Sequence, residues 1–258
     1  VQVVIAIPAR YGSTRLPAKA LAPIGGEPMV VRVWRRCAAV PGIARTLVAT
    51  DDERIRAAVA AAGGDCVLTA ASHATGTDRI AEAVRGLACD LVLNVQGDEP
   101  FIEAGPLAAL VAACAADPGA EAATLAAPIR DAAELANPSV VKVLVARTGR
   151  AVCFSRLPIP WSDAVAGLAA GAAGAAGAAG AAPPGYRKHV GVYAYRPDFL
   201  QRFTKLEPTF GERAERLEQL RILEHGYAIR VVATDWEPLA VDTPADLERA
   251  RARALAGG

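Results

Sequence analysis

The sequence predicts an α/β protein built on a mostly parallel central sheet with helices on both faces. Short, nearly continuous apolar runs recur at 1–7, 46–49, 66–68 and 91–95. Continuous apolarity is what a parallel strand covered on both faces requires. Helix-like segments separate the runs, each bounded by Pro, Gly or a capping residue. That alternation implies βαβ crossovers.

In chain order, the first run ends at Pro8. Residues 28–40 read as a helix stopped by Pro41-Gly42. A second strand at 46–49 is followed by Thr50-Asp51-Asp52, which caps a helix to Ala62, and Gly63-Gly64 closes it. A strand at 66–68, a helix at about 77–85 and a strand at 91–95 follow. The second half is less regular. Strands are predicted at 122–127, 140–145, 152–155, 189–195 and 229–233. Helices are predicted at about 197–205 and 212–225. Thr243-Pro244 opens a last helix, with Thr as N-cap and Pro in the first turn.

Composition narrows the function classes. The 258 residues, 26.6 kDa, suit one large α/β domain or two small ones. A net charge of +1 with 21% charged residues points to neither a nucleic-acid tail nor an acidic partner. No apolar stretch approaches the roughly 20 residues of a membrane span. The apolar start lacks a basic lead and a cleavage site, so no secretory signal is expected. Cys37, Cys66, Cys89, Cys114 and Cys153 are odd in number and widely spaced, which fits a reducing, cytoplasmic setting better than a disulfide or zinc framework. Residues 169–182 repeat Gly-Ala-Ala. Each glycine costs about 0.8–1 kcal/mol of helix stability against alanine, so a flexible surface insertion is expected at 167–184.

Three patches carry candidate chemistry. Beyond the first strand, Arg10, Arg15 and Lys19 flank a turn with Gly12 and Ser13. In open α/β sheets ligands bind at that place. A triphosphate needs such cations and closely approaching backbone N–H groups. No Walker A pattern occurs, and a solvated basic loop is the alternative. Next, the strand at 91–95 runs into Gln96-Gly97-Asp98-Glu99-Pro100, where a carboxylate could hold Mg²⁺ or could cap the following helix. Third, Asp242 precedes Thr243-Pro244. Thr243 can serve as the cap, which leaves Asp242 available to a metal. Elsewhere the reading is structural: His73 as an exposed loop residue, His225 at a helix C-terminus beside Gly226, and Trp34 and Trp236 as packing residues. Nothing marks Cys153 as a nucleophile.

Taken together, the patches resemble the 3-deoxy-manno-octulosonate (Kdo) cytidylyltransferase family over nearly the whole chain. The matching stretches are P-A-R-Y-G-S-T-R-L-P-A-K at 8–19, A-T-G-T-D-R-I-A-E at 74–82, N-V-Q-G-D-E-P at 94–100 and N-P-S-V-V-K-V at 137–143. F-S-R-L-P-I-P-W at 154–161, K-H-V-G-V-Y at 188–193, L-E-Q-L-R at 217–221 and V-D-T-P-A-D-L-E at 241–248 complete the series. The resemblance implies a Rossmann-like nucleotidyltransferase fold of the nucleotide-diphospho-sugar transferase kind. It implies one cytidylyltransferase domain over 1–258, with a smaller sugar-binding and dimerisation region at about 129–225. It further implies a homodimer that joins CTP to Kdo with Mg²⁺, yielding CMP-Kdo and pyrophosphate for lipopolysaccharide biosynthesis.

By the same resemblance, Pro8, Ala9, Arg10, Arg15, Lys19, Thr75, Gly76, Thr77 and Arg79 bind the nucleotide. Asp98 and Asp242 hold the metal, and with Arg10 and Lys19 they form the catalytic set. Gln96, Arg156, His189, Tyr193, Glu212, Glu215 and Gln219 match positions that face the sugar acid. Arg156 and the Lys188-His189 pair are expected to supply positive donors. Glu212, Glu215 and Gln219, spaced three, four and seven apart, are expected to share one helix face. Two departures stand out: Ala20 replaces the usual Pro, and Lys188 replaces a forked Arg with a point charge. The rivals are a CMP-sialic acid synthetase and a catalytically silent nucleotide-binding protein; the I-P-W, L-E-Q-L-R and V-D-T-P stretches favour Kdo, and the presence of both carboxylates favours an enzyme.

Overall fold

The computed structural model of the chain describes residues 1–13, 15–163, 165 and 181–257. Most of the Gly-Ala-Ala insertion therefore lies outside the described residues. The strands are β1 (Val3–Ala9), β2 (Pro23–Ile24), β3 (Glu27–Pro28), β4 (Ile43–Thr50), β5 (Asp65–Leu68), β6 (Leu91–Asn94), β7 (Ala122–Pro128), β8 (Lys142–Val145), β9 (Ala151–Ser155), β10 (Arg187–Tyr195) and β11 (Ile229–Ala233). The described chain separates into two compact units. The first comprises 1–112, 192–205 and 237–258; the second comprises 113–191 and 206–236. Among the described residues no helix is long and apolar enough to cross a membrane.

In the first unit β1 is the central strand. It pairs in parallel with β4 on one side and β6 on the other, and β4 pairs in parallel with β5. The last residues of β10 pair antiparallel with β6, with Tyr193 opposite Asn94. Ile5, Ala6, Ile7, Leu47, Val48, Ala49, Val92 and Leu93 have no exposed surface, so the apolar runs are strands buried on both faces. Met29–Ala38 packs on β4 and Gly76–Ala83 packs on β1. Caps fix the helix starts. Asp52 accepts from the Arg54 N–H, and Thr75 with Asp78 forms a capping box.

In the second unit β7 pairs in parallel with β11. β8 lies antiparallel to β9 and meets β10 at Lys142 and Lys188. The Lys142 ammonium is buried and donates to the carbonyls of Asn137 and Arg156 at 2.7 and 2.8 Å. These bonds tie the entry to β8 to the end of β9. The fold class is thus α/β with a mostly parallel sheet in the first unit and mixed pairing in the second.

Three local readings need correction. The helix expected at 212–225 is two short helices, Phe210–Glu215 and Gln219–Glu224. Arg216 takes a left-handed conformation between them, and buried Leu217 turns inward. Burial of that leucine outweighs helix continuity, so Glu212, Glu215 and Gln219 do not share a face. The helix expected to follow Glu99, with no bounds assigned, is the 13-residue Ala104–Ala116, and it begins too far along the chain for Asp98 or Glu99 to cap it. The hairpin of β2 and β3 was also unforeseen; Gly25 and Gly26, with φ of 60° and 85°, make its turn.

Ala18 and Arg216 are the non-glycine residues with positive φ among those described. Ala18 has φ 53° and ψ 29° and leads into the single 3₁₀ turn that carries Lys19. A left-handed alanine costs roughly 1–2 kcal/mol, part of which a glycine returns to the entropy of the unfolded chain. Ala18→Gly is therefore expected to raise stability by up to about 1 kcal/mol. A urea midpoint at or below that of the parent chain would contradict this.

Candidate active site

Parallel pairing of β1 and β6 brings their carboxyl ends to one edge of the first unit. The register Ala6↔Asn94 continues in a bond from the Val95 N–H to the Ala6 carbonyl. The following turns then approach so closely that a Cβ on Gly97 would lie 2.9 Å from the Pro8 carbonyl oxygen. Only glycine fits there without displacing backbone. A third segment joins through a 2.9 Å bond from the Val241 N–H to the Asp98 carbonyl.

These three segments line an open cleft of about 340 Å³. Pro8, Ala9, Arg10, Arg15, Lys19, Thr75, Gly76, Arg79, Gln96, Asp98 and Asp242 all contribute to its wall. Thr77, expected among them, is buried instead. Ser13, Met29 and His73 also line the cleft. His73 is half-buried, not exposed as the sequence suggested, and its Nε2 pairs with the Glu82 carboxylate. That partner lies nine residues further on, in the last turn of the next helix, where sequence spacing gives no signal.

The charges are closely matched. Lys19 Nζ lies 2.6 Å from Asp98 Oδ2 and 3.0 Å from Asp242 Oδ1, and an Arg15 guanidinium nitrogen lies 2.9 Å from the same Asp242 oxygen. Burial works against the charge on Lys19, but the two carboxylates outweigh it and raise its pKa above the usual 10.5. Arg10 is exposed and has no ion-pair partner among the described residues. Tyr11 is held by the Arg54 guanidinium over its ring, 3.3 Å from the centroid.

Asp242 is held by its own helix. Thr243 caps Pro244–Leu255 in a capping box with Asp246, and Asp246 accepts from the N–H groups of Asp242 and Thr243 at 3.1 and 2.8 Å. Burial opposes the charge on Asp246. The bonds from Thr243, Arg249 and the two N–H groups outweigh it and hold the carboxyl at about 2. Asp98 caps no helix either, since its carboxylate is taken by Lys19. Behind them, Glu99 is 8% exposed and its Oε2 has no hydrogen-bond partner among the described residues. Burial first, then repulsion from Asp98 and Asp242, pushes its pKa up to about 8 against the attraction of Lys19.

Among the described residues no group of three or more His, Cys, Asp or Glu side chains is placed to hold a metal. Two carboxylates that already converge on one ammonium suit Mg²⁺, which commonly takes one or two carboxylates and completes its shell with water and substrate phosphates.

The residues matched to the sugar acid are distributed between the units. In the first, Gln96 donates to Asn94 at 3.2 Å, and Tyr193 stacks on Tyr195 with ring centres 5.5 Å apart. In the second, Glu215 accepts from Ser155 Oγ at 2.6 Å and from the Arg156 N–H at 2.9 Å. The Arg156 side chain donates to the Glu215 and Pro138 carbonyls. Glu212 forms an ion pair with Arg221, and Gln219 is buried. The expected cationic Lys188-His189 pair takes another form. Lys188 is paired to Glu134 at 2.6 Å. His189 bonds to Thr124 and meets the edge of Phe154, and its enclosure pushes its pKa down to about 4, so it is neutral at physiological pH.

Two outcomes follow from these contacts. Glu215→Ala leaves the Ser155 hydroxyl and the Arg156 N–H without their acceptor, so it is expected to cost about 1–3 kcal/mol in urea unfolding; an unchanged midpoint would show the contacts to be idle. Glu99 is protonated in the fold well above its usual 4.5. The folded chain therefore holds an extra proton between about pH 4.5 and 8, and stability falls as pH rises through that window. With metal chelated, Glu99→Gln is expected to gain stability over the parent by up to about 1.4 kcal/mol per pH unit across the window, and to gain nothing below it. A stability difference that is flat in pH would refute the assignment.

A family model described as cytidylyltransferase matches residues 4–230. A 3-deoxy-manno-octulosonate cytidylyltransferase of Halorhodospira halophila is 49% identical over 249 residues, covering 95% of this chain and 93% of that one. One of Anaeromyxobacter dehalogenans is 47% identical, covering 99% and 98%. Among solved structures, one described as CMP:2-keto-3-deoxy-manno-octonic acid synthetase complexed with CTP superposes with a TM-score of 0.88 at 41% identity, over the whole of both chains. With this sequence identity, and the cationic loop, strand-end carboxylate and Asp242 meeting at one sheet edge, the chain belongs to the 3-deoxy-manno-octulosonate cytidylyltransferase family.

Proposed function

We propose that this protein transfers CMP from CTP to the anomeric hydroxyl of Kdo, releasing pyrophosphate, in lipopolysaccharide biosynthesis. The observation that carries the reading is the cleft itself: three cations and two carboxylates at the carboxyl edge of a parallel sheet, in a chain of this family.

In the reaction the 2-hydroxyl oxygen of Kdo forms a bond to the α-phosphorus of CTP. The α–β phosphoanhydride bond breaks in line, pyrophosphate leaves with its electron pair, and the hydroxyl proton passes to solvent. Arg10, Arg15 and Lys19 offset the triphosphate charge with donors already set around the cleft. The Gly97 turn lets the Asp98 segment sit against the Pro8 backbone, which sets its carboxylate beside these cations. Asp98 and Asp242 are the residues that would hold Mg²⁺, which when bound supplies positive charge to acidify the hydroxyl and stabilise the leaving group. Among the residues of the cleft, none is needed as a separate general base. The exposed Leu157, Trp161 and Phe210 of the second unit support self-association into a homodimer. The five free cysteines support a reducing, cytoplasmic setting.

The deciding experiment is pyrophosphate release from CTP and Mg²⁺ with either Kdo or sialic acid. Release with Kdo alone supports the reading, release with sialic acid alone transfers it to the sialate reaction, and no release with either overturns it. Asp98→Asn is expected to lower turnover on the order of 10²–10³-fold while CTP still binds through the cations. Near-parental turnover would remove Asp98 from the metal role.

A further inference from the structure

The cleft holds a cation between its two metal-type carboxylates, and that cation belongs to the protein. Lys19 Nζ contacts one oxygen of Asp98 and one of Asp242, and Arg15 contacts the same Asp242 oxygen. Two positive groups thus meet two negative ones, and the pair is neutralised before any ligand arrives. Both cations also belong to the basic loop read above as the triphosphate site. They cannot bond the carboxylates and the phosphates fully at once.

We propose that Lys19 is a resident cation that holds Asp98 and Asp242 together and keeps a divalent ion out until the nucleotide draws Lys19 away. The inference rests on the reading of Asp98 and Asp242 as metal ligands. A divalent ion bonds carboxylate oxygens at about 2.0–2.1 Å, and with Lys19 in place it meets two carboxylates that each already bond the ammonium through one oxygen, at 2.6 and 3.0 Å. Two positive charges gathered on the same pair of carboxylates repel, which disfavours joint occupancy. A triphosphate changes the balance by offering Lys19 several anionic oxygens and offering the metal further ligands.

The local structure suits the exchange. Lysine is a compact charge on a flexible four-carbon stem and can change partners without moving the backbone. The left-handed Ala18 fixes that backbone. Arg15 has a side chain 64% exposed and is likewise free to turn. Asp242 stays in place when its cations leave, because Asp246 holds its N–H independently of them. Lys19 is thus a positioning residue in the ligand-free enzyme and a phosphate partner in the loaded one. It couples the two ligands, and the coupling is reciprocal: nucleotide tightens metal by the factor by which metal tightens nucleotide.

The test is Mn²⁺ binding to the full chain, read from the paramagnetic resonance of the free ion, with and without the non-hydrolysable analogue α,β-methylene-CTP. The parent is expected to bind Mn²⁺ weakly alone and at least about tenfold tighter with the analogue. Lys19→Met is expected to bind Mn²⁺ about tenfold tighter than the parent without nucleotide, which shrinks the nucleotide effect. Adding Asp98→Asn to that variant should abolish the gain. A residue that only braced the loop would lose metal affinity on removal, so the direction of change separates the two roles. Lys19→Gln repeats the measurement should the methionine variant fail to fold. If Lys19→Met binds Mn²⁺ no tighter than the parent while Asp98→Asn removes nucleotide-dependent binding, the metal site stands and the resident-cation role falls. If Asp98→Asn changes Mn²⁺ binding in neither state, the metal reading falls and this inference falls with it.

Discussion

The parallel pairing of β1 with β6 is the constraint on which the first unit depends. In a parallel pair both strands end at the same edge, so two loops distant in sequence must turn away side by side. Here they turn so tightly that Gly97 faces the Pro8 carbonyl with no room for a side chain. That approach sets Asp98 opposite the basic loop. Antiparallel pairing would send the two loops to opposite ends. The backbone bond from Val241 to Asp98 then fixes the third segment. Three stretches separated by as many as 223 residues in sequence thereby meet on Lys19.

What gathers there is electrostatically expensive, and the structure contains the cost locally. Asp98, Asp242 and Glu99 would repel one another if all were charged in a half-buried cleft. Lys19 and Arg15 neutralise two of them, and burial leaves the third protonated near neutrality. A site of this kind is poised and not maximally stable: its carboxylates are held by partners that a ligand can replace. The left-handed Ala18 adds backbone strain of the kind that collects at functional sites. By contrast, Asp246 is satisfied by bonds no ligand would compete for, and its low pKa expresses that.

The parts legible in the sequence are those set by local pattern. The buried strands announced themselves because parallel strands covered on both faces are nearly continuously apolar, and the Asp52 and Thr243 caps because a capping residue acts within three positions. The extent of the helix Ala104–Ala116 went unread because its alanine-rich, apolar sequence has no polar face and so no period. The break at Arg216 was invisible because it depends on where Leu217 can be buried. In the cleft, residue types and motif order pointed to the nucleotide loop and to Asp98 and Asp242. The Lys19 bridge, the Glu82 partner of His73 and the elevated Glu99 pKa arise from tertiary proximity alone.

The second unit shows the limit of reading role from residue type. Glu212, Glu215 and Lys188 look like ligands for a polyhydroxy acid when only their chemistry is considered. In the fold each has a protein partner, and around Glu215 the bonds form a continuous network: Lys142 joins the Asn137 turn to Arg156, Arg156 joins Pro138 to Glu215, and Glu215 returns to Ser155 on the same strand end. A half-buried network of this sort is sensitive to the loss of any member, because each deletion strands a donor or acceptor away from water. A substitution there alters stability before it reports on any ligand. Kinetic effects of changes at Glu215 or Arg156 therefore acquire meaning only once the unfolding free energy of the same variant is known. Arg10, exposed and without an ion pair among the described residues, is the cleaner probe of ligand charge.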